Sequence, residues 1–292
     1  MHRVILCLFF SLLPLLSWSA TDSVAKIRKT QTLIIGVRES PPFSFTDSNK
    51  QVVGYSVDLC LKIADAVKKE LKLPNLKLQF FPVDSTTRFS ALQEDKIDLE
   101  CGSTTNNADR RKRFDFTIPH FFSSVRAVVR SNSQIKNWNQ FRNRTIVTTK
   151  STTTVKLLSD RNDINSLGIK LVEGDTDQES FKMIENGKAD AFPMDDVLLY
   201  SLRADAKDPS AFAIIGEPLS VEPYSIMLRK DDTAFKKIVD TEMLRIIHDG
   251  EIYKIYDRWF IRPIPPKGSN LNMPMGFLLR DSLRFPSDQV GN

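Results

Sequence analysis

Three hydroxyl side chains in a row, Ser103-Thr104-Thr105, are followed within two helical turns by Arg110. They come just after Ile97 to Cys101, which reads as a strand, and at or near the start of a basic helix. Free backbone N–H groups at a helix start favour anions. A planar guanidinium can grip a carboxylate with two parallel hydrogen bonds. Residues of these types at this spacing suit holding a carboxylate. If the molecule also carried an ammonium about one residue's width away, the site would need an acid as well. The rest of the basic run, Arg111-Lys112-Arg113, reads as a solvated helix face.

Signatures of bond-breaking chemistry are missing. The chain has no Gly-x-Ser-x-Gly, no Gly-x-Gly-x-x-Gly and no Walker loop, the commonest marks of hydrolases, dinucleotide enzymes and phosphate cradles. Beyond the first twenty residues the histidines are His120 and His248, neither with a metal-ligand partner at useful spacing. We expect no metal, no cofactor and no catalytic residue.

The elements that would position these residues alternate. Leu33-Ile34-Ile35-Gly36-Val37 is a short buried strand stopped by Arg38-Glu39-Ser40-Pro41-Pro42, and loops at strand ends are where ligands are met. A helix over Tyr55 to Leu71 and a strand over Leu76 to Val83 follow; strand, helix, strand implies a parallel α/β sheet. A helix near Arg88 to Glu94, the strand at Ile97 to Cys101 and another at Val125 to Arg130 complete the first set. A second set repeats it: strand Thr145 to Thr149, a polar turn, a helix through Leu158, strand Ile169 to Val172, helix Gln178 to Asn186, strand Ala189 to Phe192. Late on come a strand at Ser225 to Arg229 and amphipathic helices from Thr233 to His248 and Gly250 to Phe260. Beyond Ile264 the periodicity weakens, which suggests a tail packed across the surface.

Composition limits the setting. Met1 to Arg3 is a basic start, Val4 to Leu16 is nearly all apolar, and Ser17-Trp18-Ser19-Ala20 offers small residues for cleavage after Ser19 or Ala20. Thirteen apolar residues are too few to span a hydrocarbon core, which needs roughly 20. We therefore expect a cleaved leader at 1–20 and export. The formal charge of +5 on the whole chain is spread out and is small for a nucleic-acid protein. Cys7 lies in the leader, which leaves Cys60 and Cys101; two buried free thiols are the favoured reading, with one disulfide as the alternative.

The order of motifs carries a resemblance. Gly36-Val37-Arg38-Glu39-Ser40, Glu100 to Asn107, Met194-Asp195-Asp196, Met227 to Asp232 and Ile264-Pro265-Pro266-Lys267 resemble the solute-binding proteins of polar amino acid ABC transporters, the bacterial extracellular solute-binding proteins of family 3. The similarity is greatest to glutamate/aspartate-binding proteins and runs over nearly all of the chain after the leader. It implies a two-lobed periplasmic-binding-protein fold of type II with two hinge strands. Lobe one would take 21–124 plus 224–292 and lobe two 125–223.

The resemblance also implies roles. Arg110, helped by Thr105 and by Thr152 or Thr153, would hold the α-carboxylate of an amino acid. Asp195 would receive the α-ammonium, with Ser103 sharing that load. Arg38, Ser85 and Arg88 would surround the ligand's side chain, and two arginines there imply an acidic one. Each has a plainer rival: Arg38 and Arg88 as surface partners of Glu39 and Glu94, Asp195 as a helix cap, Ser103 and Thr105 as turn residues, Thr152 and Thr153 as helix openers. Asp177 stands where the glutamate/aspartate receptors have a histidine near the ligand's side chain, and an ionised Asp there repels an acidic ligand unless it turns away or an arginine neutralises it. Ser151 replaces a frequent glycine before the two threonines, and the loop after Ser40 is one residue shorter. The implied protein is a periplasmic, monomeric receptor that delivers glutamate or aspartate to an inner-membrane ABC permease without binding nucleic acid. The rival is a periplasmic enzyme of the cyclic amino acid dehydratase type, with Asp177 or Asp196 as its acid or base.

Overall fold

Two five-stranded sheets organise the chain. The computed structural model describes residues 22–265 and 268–290; the expected leader lies outside them. In the first sheet the strand Thr32–Val37 pairs in parallel with Lys77–Pro82 on one side and with the central strand, Leu99–Glu100, on the other. Met227–Arg229 then pairs antiparallel with Leu99–Glu100 and with Phe114–Phe116. In the second sheet Thr145–Thr149 pairs in parallel with Lys170–Gly174 and Ala191–Asp195. Val125–Arg130 lies antiparallel between Ala191–Asp195 and Phe212–Ile215.

The parallel pairing expected from strand, helix, strand is present in both sheets, and each also takes antiparallel strands. The antiparallel strands Met227–Arg229 and Val125–Arg130, each fourth in its sheet, enter from the segments crossing between the sheets and so run against their neighbours. The crossings pair with each other as well, Phe121–Ser123 antiparallel to Glu222–Tyr224. Phe121 and Tyr224 root this pair in the first lobe. Each packs against Phe43 with ring centroids 5.0 Å apart, and Phe121 stacks on Phe260 at 4.9 Å. Such aromatic contacts add roughly 0.5–1.5 kcal/mol each beyond their burial.

Two expectations change. Cys60 and Cys101 are joined in a disulfide, not held as free thiols, with Cα atoms 6.4 Å apart. Cys60 lies on the buried face of helix Tyr55–Glu70, whose Ser56 hydroxyl donates to the Gly102 carbonyl, next to Cys101, at 2.8 Å. Tertiary packing brings the two thiols together across 41 residues of sequence. The tail is more ordered than its periodicity suggests, with a helix over Phe277–Arg284 that buries Leu279 and Leu283. Among the described residues no helix is long and apolar enough to cross a membrane.

Candidate functional site

The strand ends of both sheets face each other, and the predicted residues lie there. Arg38 leaves the end of Thr32–Val37 and is buried, and its Nη2 donates to Oδ2 of Asp177 at 2.6 Å, not to Glu39. Asp177 opens helix Asp177–Glu185 in the other lobe, where the positive end of the helix dipole favours its charge. Thr176 caps that helix, its hydroxyl accepting from the N–H of Glu179. A sequence-only reading of Arg38 as a surface cation is thus excluded by its burial and its cross-lobe partner.

Arg88 stands on helix Thr87–Gln93 and is 2% exposed. Its Nη1 donates to the Thr104 hydroxyl at 2.6 Å, and that hydroxyl donates to Oε2 of Glu100 at 2.6 Å. Glu94 pairs instead with Lys96. Burial, with the like charges of Arg110 and Arg38 behind it, pulls the Arg88 guanidinium down to about 9. It stays charged at neutral pH and favours any anion brought beside it. Gly102 makes this crowding possible: a Cβ there would stand 2.4 Å from Oε1 of Glu100 and 3.2 Å from Cγ of Arg38.

Arg110 lies on the short helix Ala108–Arg111, capped by the Asn107 side chain. Its Nη1 donates to the Thr105 carbonyl at 2.9 Å. It keeps some solvent contact, yet protein surrounds it enough that desolvation lowers its pKa, while the negative charges of Glu222 and Asp195 act in the other direction. Thr105 and Thr153 both donate to Oε2 of Glu222, at 2.8 and 3.0 Å, and Ser220 donates to Oε1 at 2.7 Å. Arg110, Thr105, Thr152, Thr153 and Glu222 line an open recess of about 410 Å³. Thr152 does open helix Thr153–Asn165, but its hydroxyl donates to the Thr149 carbonyl at 2.7 Å and leaves the helix N–H groups uncapped.

Asp195 ends strand Ala191–Asp195 and precedes helix Asp196–Asp205 without capping it. The hydroxyl of Tyr224, from the crossing strand, donates to its Oδ2. Burial raises the Asp195 carboxyl well above the ordinary carboxylate range, and the neighbouring Glu222 adds to that. Asp196 points elsewhere, its Oδ1 accepting from Ser123 at 2.8 Å.

The structure thus gathers buried Arg38, Arg88, Asp177 and Asp195 and half-buried Arg110 into one electrostatic field. Ser85 and Ser103 are buried beside it with hydroxyls that have no partner among the described residues, as do Oδ1 of Asp195, Oδ1 of Asp177 and Nε of Arg88. Buried polar atoms left open this way are costly, and a polar ligand would fill them. Ser151 sits at φ +58, the left-handed conformation a glycine adopts freely. Its hydroxyl lies 3.1 Å from that of Thr86 across the cleft. Among the described residues no group of histidines, cysteines and acids is arranged to hold a metal.

Sequence reasoning named Thr104 only as one of three hydroxyls near a helix start, and missed Glu100, Glu222 and Tyr224 as parts of the site. Glu100 had a signal, since Asp98 and Glu100 alternate with Ile97 and Leu99 in a strand that must be buried. Glu222 and Tyr224 had none, because their importance comes from pairing with the other crossing strand.

The model of the bacterial extracellular solute-binding proteins, family 3, matches residues 33–262. A Pseudomonas aeruginosa L-glutamate/L-aspartate-binding protein is 42% identical over 95% of this chain and 92% of its own length. The glutamate/aspartate import solute-binding protein of Escherichia coli K12 is 38% identical over 94% of this chain and 91% of its own. Among solved structures, an ancestral arginine-binding protein bound to arginine superposes with a TM-score of 0.70 at 28% identity, covering 79% of this chain and 98% of that one. The solute receptor for L-cysteine of Neisseria gonorrhoeae gives 0.70 at 25%, covering 81% and 92%.

Proposed function

The chain belongs to the bacterial extracellular solute-binding proteins of family 3, and from that premise we propose that it captures a free amino acid between its lobes, glutamate or aspartate first, and hands it to an inner-membrane ABC permease. It is a solute-binding protein and not an enzyme, as the relatives it matches at 38–42% identity are. The observation that carries the ligand class is the buried meeting of Arg38, Arg88 and Arg110 with Asp177 and Asp195 across the cleft. Arg110 with Thr105, Thr152 and Thr153 holds the α-carboxylate, Asp195 with Ser103 receives the α-ammonium, and Arg88, Ser85, Arg38 and Asp177 meet the side chain.

The lobes divide at 124/125 and 223/224, and the paired crossings act as hinges. The first sheet uses strands from residues 32–116 and 227–229, and the second from 125–215, which supports that division. Contacts from both lobes to one ligand favour the closed state, and closure is the form a permease would recognise. The receptor is exported by its cleaved leader to the periplasm, acts as a monomer and binds no nucleic acid. Calorimetric titration of ligand-stripped protein with glutamate, aspartate, glutamine, asparagine and lysine tests the reading. Glutamate and aspartate should bind and be recovered unchanged; binding of lysine alone would remove the argument from two side-chain arginines.

A further inference from the structure

The loop that carries Arg38 and the helix start that carries Asp177 meet in one ion pair, Nη2 to Oδ2, with side chains 5% and 3% exposed. That pair uses one oxygen of the carboxylate. Oδ1 of Asp177 is buried with no hydrogen-bond partner among the described residues, and Nε of Arg88 is in the same condition. Asp177 lies close enough to Arg88 for its charge to act on the guanidinium. An unfilled acceptor and an unfilled donor therefore share the region that meets the ligand's side chain. The unfilled hydroxyls of Ser85 and Ser103 flank it in sequence, three residues before Arg88 and next to its partner Thr104.

Charge points the same way. Arg38 is matched by Asp177, Arg88 is joined through Thr104 to Glu100, and Arg110 faces Glu222 and Asp195. A carboxylate side chain would enter a region where every guanidinium already has an acid nearby, and would meet Asp177 as a like charge. A carboxamide brings no charge. Its nitrogen has N–H groups for the empty acceptor, and its oxygen accepts from the empty donor.

We propose that Asp177 sets side-chain specificity by occupying Arg38, so that the receptor accepts glutamine and asparagine alongside glutamate and aspartate, with the amide N–H donating to Oδ1 of Asp177 and the amide oxygen accepting from Arg88. The inference rests on the reading of this site as a holder of free amino acids, and it removes the advantage that two unmatched arginines would give an acidic ligand. Replacing Asp177 by histidine would free Arg38 and restore that advantage.

The test is calorimetric titration at pH 7 of the ligand-stripped full chain with glutamate, aspartate, glutamine and asparagine, repeated on Asp177→His. Glutamine should bind the unaltered chain no more than about tenfold more weakly than glutamate, and Asp177→His should shift the ratio toward glutamate by about tenfold or more. A preference of the unaltered chain for glutamate above about tenfold overturns the inference, leaves the receptor reading standing and needs no variant to fold. An unchanged ratio in folded Asp177→His also overturns it. Failure of all four amino acids to bind the unaltered chain, with lysine failing as well, would remove the amino-acid reading and this inference together.

Discussion

The hydroxyl of Tyr224, on the strand that crosses between the lobes, donates to Oδ2 of Asp195 at the end of a strand in the second lobe. Both side chains are buried. Burial, then the charge of Asp195, pushes the Tyr224 phenol well above its ordinary value, so it remains a donor at every working pH. One oxygen of the acid is thereby fixed at the crossing, and the other is left open for a ligand.

Binding should release a proton. Burial raises the empty-site pKa of Asp195, so protonation is favoured there, whereas a bound ammonium favours the carboxylate. Affinity should therefore climb as pH rises through the raised pKa of the empty site, then level off. The linked stability has the opposite sign: without ligand, the contribution of a raised carboxyl is present below the unfolded value and lost as pH rises through the folded one. Calorimetry in buffers of different ionisation enthalpy measures the proton directly. Enthalpies that coincide across buffers, with affinity flat across the same window, would refute the role given to Asp195.

Arg110 and Arg88 should separate functionally. Arg110→Ala should weaken every amino acid ligand by about 100-fold or more, the worth of a bidentate charged contact of about 3 kcal/mol. Arg88→Gln, which keeps a donor for Thr104, should instead change the ranking of side chains while retaining measurable binding. Equal losses across all ligands in both variants would erase the division of labour between them.

Removing the disulfide should cost stability more than affinity. The bridge closes a loop over a separation of 41 residues. Chain-entropy reasoning puts its contribution at about 4 kcal/mol. In a chain of this size each kcal/mol moves Tm by about 2–4 °C, so the double variant Cys60→Ala, Cys101→Ala should melt about 8–16 °C lower. Scanning calorimetry checks this, and a Tm within a degree or two of the unaltered protein would show that helix packing alone holds Ser103 and Thr105 in place.

Much of the fold was legible in local sequence. The strands at Val125–Arg130 and Thr145–Thr149 and the helix at Thr233–His248 follow directly from β-branched runs and helical spacing, which are short-range properties. The antiparallel entry of Met227–Arg229 and the pairing of the two crossings were not legible, because register between distant strands leaves no mark in either strand alone. The bridge from Cys60 to Cys101 is of the same kind: the sequence shows two cysteines, and only packing sets their distance.

The site divides along the same line. By itself the sequence determined which chemical groups were present, hydroxyls and an arginine after one strand, further arginines after others, and acids in the second half; their order placed the chain near a family of receptors. Only the tertiary structure decided how those charges are matched. Arg38 takes Asp177 from the opposite lobe, Arg88 reaches Glu100 through Thr104, and Asp195 answers to Tyr224. The reason is physical: a charge's worth depends on its burial and on the charge beside it, and both are properties of three-dimensional neighbours.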